Sequence, residues 1–358
     1  MNSKTIKYFG AALLFLTLVL IASLQGFKKN QPAPAVLKGY LGGEKIGIFE
    51  DPEIRNYIRK QYKLTLNYQK SGSYDMVRES HEGKNYLFPA SQGALEYYRK
   101  LSGKNPQNEI IYNTPLVIYT RPLIASALSK KNIVTEQDGI KYLHMDALVQ
   151  LMLEEKTWAD IGLGQLYGSI SVDSTDPASS NSGNMFAALL ANTINNGKPV
   201  SSGDIAKVLP GMKKIYSKFG FMETSSADMF HQFLKKGVGA YPMIAAYENQ
   251  LLEFAVSEPE IWQSLKDEIV LLYPVPTMWS SHVYIALDDT GQRGMKALLD
   301  PKVQELSWQK HGFRTGAHAA QETQRFNVNG VAKEIISVTE VPDCLLYTSD
   351  AADERSSV

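Results

Sequence analysis

Apolar positions along this chain switch between a period of two and a period near 3.6, and the switches mark its elements. Residues 38–49 predict a strand running into a glycine-rich turn at Gly42 and Gly43. Asp51 and Pro52 then supply a helix start, and Ile54, Tyr57, Ile58 and Tyr62 recur on one helical face. Residues 64–68 alternate as a strand that ends in Ser71, Gly72 and Ser73, with a helix from Tyr74. Residues 86–89 form a short apolar strand ending in Ala90 and Ser91, before a helix over 94–101. Three strands, each followed by a Ser- or Gly-rich turn and a helix, are the pattern of a parallel α/β sheet. Such sheets gather ligand-binding turns at the carboxyl ends of their strands.

Residues 110–119 predict a long strand that leaves this first unit. Helices are expected over 124–130, 142–155 and 230–236. A strand over 239–246 leads into a helix carrying Leu251, Leu252 and Phe254. Strands over 268–273 and 282–287 follow, then helices over 294–299 and 301–311, closed by Gly312, Phe313 and Arg314. No internal repeat and no low-complexity segment interrupts this order.

One stretch, residues 171–197, organises the rest. Ser174, Thr175, Ser179, Ser180, Asn181, Ser182 and Asn184 crowd a turn that also holds Gly183. Met185, Phe186, Leu189, Leu190 and Ile194 follow at the spacing of one buried helical face. Helix starts favour Asp or Glu in the first turn, because the macrodipole and unpaired N–H groups attract negative charge. No acidic residue occurs between Pro177 and Gly203, which leaves the positive pole open to a bound anion. The competing reading is an ordinary helix opened by an Asp176 cap and Pro177, its serines being turn residues.

The two ends change the picture. Residues 8–27 carry no charge, with lysines on both sides. A run of about 20 apolar residues can cross a bilayer as a helix. Residues 1–30 are therefore expected to be a signal-anchor, with a cleaved signal peptide as the alternative, and 31–37 a spacer. At the other end, residues 344–354 (CLLYTSDAADE) match one reading frame of a transposase-type adapter used in preparing sequencing libraries. Residues 344–358 are read as a translated artefact, which makes the single cysteine, Cys344, foreign to the protein.

Charge excludes one class of partner. Lys plus Arg and Asp plus Glu number 37 each, and setting the two ends aside leaves a slight acidic excess. There is no basic run, so no footprint for nucleic acid. The six histidines show no metal-binding spacing, and there is no P-loop and no GxSxG. No catalytic residue, metal or cofactor is expected.

The ordered set of a Gly-Gly turn, Ser71 and Ser73, Ala90 and Ser91, the strand through Asn113 and Pro115, Thr175 to Gly183, and Gln304 to Arg314 resembles one family. It is that of the bacterial extracellular solute-binding proteins of the type II periplasmic-binding fold, above all the molybdate-, sulfate- and phosphate-binding members. The resemblance implies an α/β protein of two lobes joined by two crossover strands, with 38–116 and 262–343 in lobe 1 and 117–261 in lobe 2. It further implies a non-enzymatic role, capture of a small ligand or anion for an ABC-type membrane permease, and a place outside the cytoplasm, tethered by the N-terminal helix or released by signal cleavage. The ligand shell it implies is Gly42, Gly43, Ser71, Ser73, Ser91, Thr175, Ser180, Asn181, Ser182, Gly183 and Tyr247, all neutral donors. The tether and the chain beyond Thr315 depart from the family pattern, and keep open a membrane-tethered sensor or accessory subunit. Such a protein would bind an amino acid, another organic ligand or a metal chelate, with Arg121 and Glu248 serving an amino acid.

Overall fold

The computed structural model describes residues 32–315 and 322–341, so the expected membrane or signal helix and the adapter-like tail lie outside the described residues. Strand β1 (Ala35–Leu41) passes through a 3-10 turn (Gly43–Lys45) into helices α1 (Ile46–Glu50) and α2 (Pro52–Tyr62). Strand β2 (Leu64–Lys70), α3 (Asp75–Arg78), β3 (Tyr86–Phe88), α4 (Gln92–Ser102) and the long β4 (Gln107–Thr120) follow. Next come α5 (Pro122–Ser129), β5 (Val134–Gln137), β6 (Ile140–His144), α6 (Met145–Leu153), α7 (Asn181–Ile194), α8 (Ile205–Tyr216) and α9 (Ser226–Lys235). The chain closes with β7 (Met243–Tyr247), α10 (Glu248–Ser257), α11 (Pro259–Leu265), β8 (Val270–Val275), β9 (Trp279–Ala286), α12 (Asp289–Leu298) and α13 (Pro301–His311).

Local chemistry explains several boundaries. The Asp51 carboxylate accepts hydrogen bonds from the Glu53 and Ile54 amides at 2.8 and 2.9 Å, with Pro52 in the first turn of α2. Three expectations change. Ala35, Val36 and Leu37, expected in the spacer, already belong to β1, paired with β2. Ile46, Ile48 and Phe49 are helical, so that Ile48 and Phe49 enter one core together. Tyr142 to His144, expected to open a helix, form the end of β6, parallel to β8.

Two lobes share one strand. The sheet order is β2-β1-β3-β9-β4-β8-β6-β5, with β7 also paired to β4. The first part of β4, from Gln107 to Pro115, pairs with β9, whereas Leu116 to Thr120 pair with β7. β4 therefore starts in one lobe and ends in the other. The sheet is mixed rather than parallel: β1 runs parallel to β2 and β3, but β4 is antiparallel to all its partners. Alternation sends Leu37 and Leu41 to one face of the first lobe and Tyr40 to the other. In the second lobe Leu116 and Ile118 pack towards α7, while Val117 and Tyr119 pack on Phe230 and Phe233. Helix α7 is buried from Asn181 to Asn192, on every side rather than on one face.

The return to the first lobe comes later than expected. Strand β8 pairs within the second lobe, so residues 262–275 belong there and the crossing falls between β8 and β9. There the Leu116 amide donates to Met278 O at 2.9 Å, and Thr277 Oγ1 donates to Leu116 O. A third passage runs alongside: Arg314 and Asn113 exchange backbone hydrogen bonds at 2.8 and 2.9 Å. Beyond it, Phe326, Val328, Val331 and Ala332 enter the second lobe's core, and Asn192 Nδ2 donates to Glu340 O. The trailing segment, expected in lobe 1, thus joins the lobe 2 core with α9, α10 and α11, while Phe326 also meets Trp308 of α13 edge to face at 5.0 Å.

Candidate functional site

The lobes enclose a cavity of about 400 Å³. From the first lobe it is lined by Gly42, Gly43, Glu44, Lys70, Ser71, Gly72, Ser73, Asp75, Glu79 and Ala90. From the second it is lined by Ser180, Asn181, Thr224, Ser225, Ser226, Asp228 and Tyr247. The walls meet closely. A Cβ on Gly72 would lie 2.6 Å from Ser179 O, and one on Gly43 would lie 2.7 Å from Ser225 Oγ. At Gly72 the facing Ser179 backbone demands glycine, whereas at Gly43 the Ser225 side chain would have to turn aside. Lys70 also spans the gap, at 2.6 Å from Asp228. Both of its members are more than a third exposed, so solvent screens the pair to roughly 0–1 kcal/mol.

Of the residues expected around a ligand, Gly42, Gly43, Ser71, Ser73, Ser180, Asn181 and Tyr247 line this cavity. Four do not. Ser91 caps α4, its hydroxyl accepting from the Ala94 amide at 3.1 Å. Thr175 and Ser182 stand behind the wall, where Thr175 Oγ1 lies 2.7 Å from Ser182 Oγ and 3.0 Å from Ser180 Oγ. Gly183 makes room for the Thr175–Asp176 peptide, because a Cβ there would lie 2.1 Å from Thr175 O. The Thr175 and Ser182 hydroxyls, bonded to each other and to Ser180, hold the turn rather than line the cavity.

Helices α7 and α9 both begin at this wall, and neither N-cap residue, Ser180 or Ser225, makes a side-chain cap hydrogen bond. Asp51, Ser91, Asp288 and Asp300 do cap their helices. Asp176 accepts from the Ala178 amide in a local turn, so it does not open α7. Two uncapped helix starts therefore present backbone N–H groups and positive dipole ends at the edge of the cavity. Asn181 ties the wall to the other lobe: its Nδ2 donates to Ala90 O at 2.8 Å and lies 3.0 Å from the Tyr247 hydroxyl. Ser73 Oγ accepts from the Ala90 amide, so both lobes hold the same residue.

A buried charge cluster lies at the cavity floor. The Lys45 ammonium is fully buried, bonded to the Glu44 carboxylate and 3.0 Å from His282 Nδ1. Burial works to raise the Glu44 carboxyl, but Lys45 and His282 hold it well below the usual carboxylate range. Burial lowers Lys45, partly offset by Glu44. Burial and then Lys45 push His282 down to about 4, so at neutral pH its ring is uncharged. Glu44 and Lys45 follow the Gly-Gly turn directly and were visible in the sequence. His282 comes from β9 and carried no local signal. Thr224, Ser225 and Ser226, ahead of an amphipathic helix, repeat the signature of residues 179–182 and could have been found.

Neither charged residue considered for an amino-acid ligand faces the cavity. The Arg121 guanidinium donates to Phe233 O at 2.6 Å and stacks 4.2 Å from the Phe233 ring. Glu248 is fully buried in a bidentate pair with Arg314, at 2.7 and 2.8 Å, and accepts from the Tyr273 hydroxyl. Nor is the cavity lined by neutral donors alone. Four carboxylates, Glu44, Asp75, Glu79 and Asp228, line the cavity with one ammonium, Lys70.

No family model and no curated protein matches this sequence. Solved structures do. The periplasmic binding protein AfuA of Actinobacillus pleuropneumoniae, solved with exogenous fructose 6-phosphate bound, is 10% identical with a TM-score of 0.54, over 90% of this chain and 96% of that one. The periplasmic binding protein P5PA is 12% identical with a TM-score of 0.53, over 91% and 97%. The sulfate-binding protein SubI of Mycobacterium tuberculosis H37Rv is 11% identical with a TM-score of 0.52, over 80% and 88%. The chain has the type II periplasmic-binding-protein fold. At these identities the likeness establishes the fold alone. Within a type II binding protein the cavity lies between the lobes, where hinge closure acts. No helix among the described residues is long and apolar enough to cross a membrane.

Proposed function

We propose that this chain is an extracytoplasmic solute-binding protein that captures a small anionic organic molecule between its lobes for an ABC-type permease. The observation that carries this reading is the pair of uncapped helix starts, at Ser180 and Ser225, on the wall of an interlobe cavity. Backbone N–H groups so placed stabilise a negative group without a dedicated counter-charge. Cavity size favours an organic ligand over a bare tetrahedral ion, since pockets for such molecules span about 300–1,000 Å³. The binding of sulfate by SubI and of a sugar phosphate by AfuA supports the same class. The uncharged run at 8–27 supports a position outside the cytoplasm, tethered if that segment is retained or released if it is cleaved.

Thermal melting of the full chain with a panel of organic phosphates, organic carboxylates, phosphate, sulfate and molybdate tests this. A ligand at 100 times its Kd stabilises the native state by about 2.7 kcal/mol, a shift of a few degrees. At least one organic anion is expected to raise the melting temperature saturably and to be recovered unchanged. No shift with any anion would contradict the reading, and so would turnover of the bound compound.

A further inference from the structure

We infer that the ligand carries a positively charged amine as well as its anionic group, the amine being read by Glu79 and Asp75 on the first-lobe wall. This rests on the reading of the cavity as the binding site. The charges lining it pair off unevenly. Glu44 is matched by Lys45, Asp228 by Lys70, and Asp75 by Arg78 at 3.1 Å. Glu79 has no ion-pair partner among the described residues; its carboxylate accepts from Ser71 Oγ, at 2.9 Å, and lies against the neutral Tyr40 hydroxyl. The wall therefore keeps one negative charge over. Asp75 agrees with this: burial, then Glu79 and Asp176, raise its carboxyl against the opposing pull of Arg78.

A second, independent observation asks for a donor. Asn181 is 3% exposed and lines the cavity, and its Nδ2 is committed to Ala90 O, a group that can only accept. That fixes the orientation of the amide, and its Oδ1 is left without a hydrogen-bond donor. A buried acceptor without a donor costs about 1–3 kcal/mol. The oxygen is enclosed in this structure; a ligand N–H that meets it as the lobes close removes that cost, and a bare anion, which has no donor, does not. Sulfate or molybdate would bring only acceptors and negative charge to a wall that already has an excess of both. A zwitterion places its anionic end on the helix starts and its ammonium among the carboxylates.

Matched ligands isolate the amine. Calorimetric titration of the full chain would compare ethyl phosphate, 2-hydroxyethyl phosphate and phosphoethanolamine. A parallel series would compare butanoate, 4-hydroxybutanoate and 4-aminobutanoate, with ethanolamine as the amine alone. In whichever series binds, the ammonium member should be tighter than the other two by about tenfold, a modest charge-assisted contact near the cavity mouth. Glu79→Gln, on an exposed residue, should remove most of that preference and raise the affinity for the member without an amine. Equal binding of the three members would overturn the inference and leave the anion-binding reading intact. So would an undiminished ammonium preference in Glu79→Gln. Binding of ethanolamine with no dependence on the anionic group would overturn the anion reading instead. Saturation by none of the seven compounds would overturn both.

Discussion

Replacing Arg314 by methionine should destabilise the protein by about 3–5 kcal/mol, the range for removing one partner of a buried ion pair. Arg314 is 2% exposed and Glu248 fully buried, and their bidentate contact is the strong geometry for such a pair. The substitution leaves a carboxylate in the core with only the Tyr273 hydroxyl beside it. It also frees the carbonyls of Ala332 and Lys333, which Arg314 holds from the trailing segment. Removing both charges should cost less. An Arg314→Met, Glu248→Gln double variant is expected to recover a large part of the loss, because it strands no charge. Denaturant melts of the two single variants and the double variant check this as a cycle. Additive losses would mean that the two residues do not act as a coupled pair.

Gly183→Ala should cost roughly 1–3 kcal/mol, typical of overpacking a filled interior. Two effects oppose each other. Alanine is the better helix former, by about 1 kcal/mol. Against that, the new Cβ would lie 2.1 Å from Thr175 O and 2.9 Å from the Asp176 carbonyl carbon. That peptide cannot withdraw easily, since the Asp176 amide donates to Glu223 O at 2.9 Å and Thr175 Oγ1 bonds to two serines. The clash therefore wins. Because the displaced turn carries Ser180 and Asn181, ligand affinity should fall together with stability. A stabilised Gly183→Ala protein would mean that the turn is looser than its hydrogen bonds imply.

How much of this was legible in the sequence depended on how local each signal was. Helix α13 was read to its last residue, because Pro301 opens it and Gly312, at a left-handed φ of 67°, closes it. Asp51 and Pro52 marked α2 in the same way. Residues 46–49 failed because Ile, Gly, Ile and Phe alternate like a strand, while tertiary packing folds Ile48 and Phe49 into one core as a helix. The apolar run of β8 was recognisable as a strand, but periodicity does not say which sheet a strand joins. Hence the misplaced lobe boundary. In the candidate site, backbone-driven features such as Gly42, Gly43 and the 180–181 turn were visible, because glycines and hydroxyls before a helix are local signatures. The Glu44, Lys45 and His282 cluster was not, since nothing local links residues 237 positions apart. The second helix start, at Ser225, carries the same local signature of hydroxyls before a helix, with Asp228 added in its first turn.

The most direct test of the account is a titration of wild type and Gly43→Val with the organic phosphates and carboxylates above. Gly43 sits on the first lobe, where a Cβ would lie 2.7 Å from the Ser225 hydroxyl of the second lobe and 3.1 Å from Lys70 Cε. A valine there cannot be accommodated between closed lobes, yet it leaves each lobe's own core untouched. The account predicts one saturable site per chain in wild type. In Gly43→Val it predicts an unchanged melting temperature without ligand and an affinity at least about tenfold weaker, or 1.4 kcal/mol. Identical titration curves for the two proteins would contradict it, because the ligand would then bind somewhere other than between the lobes.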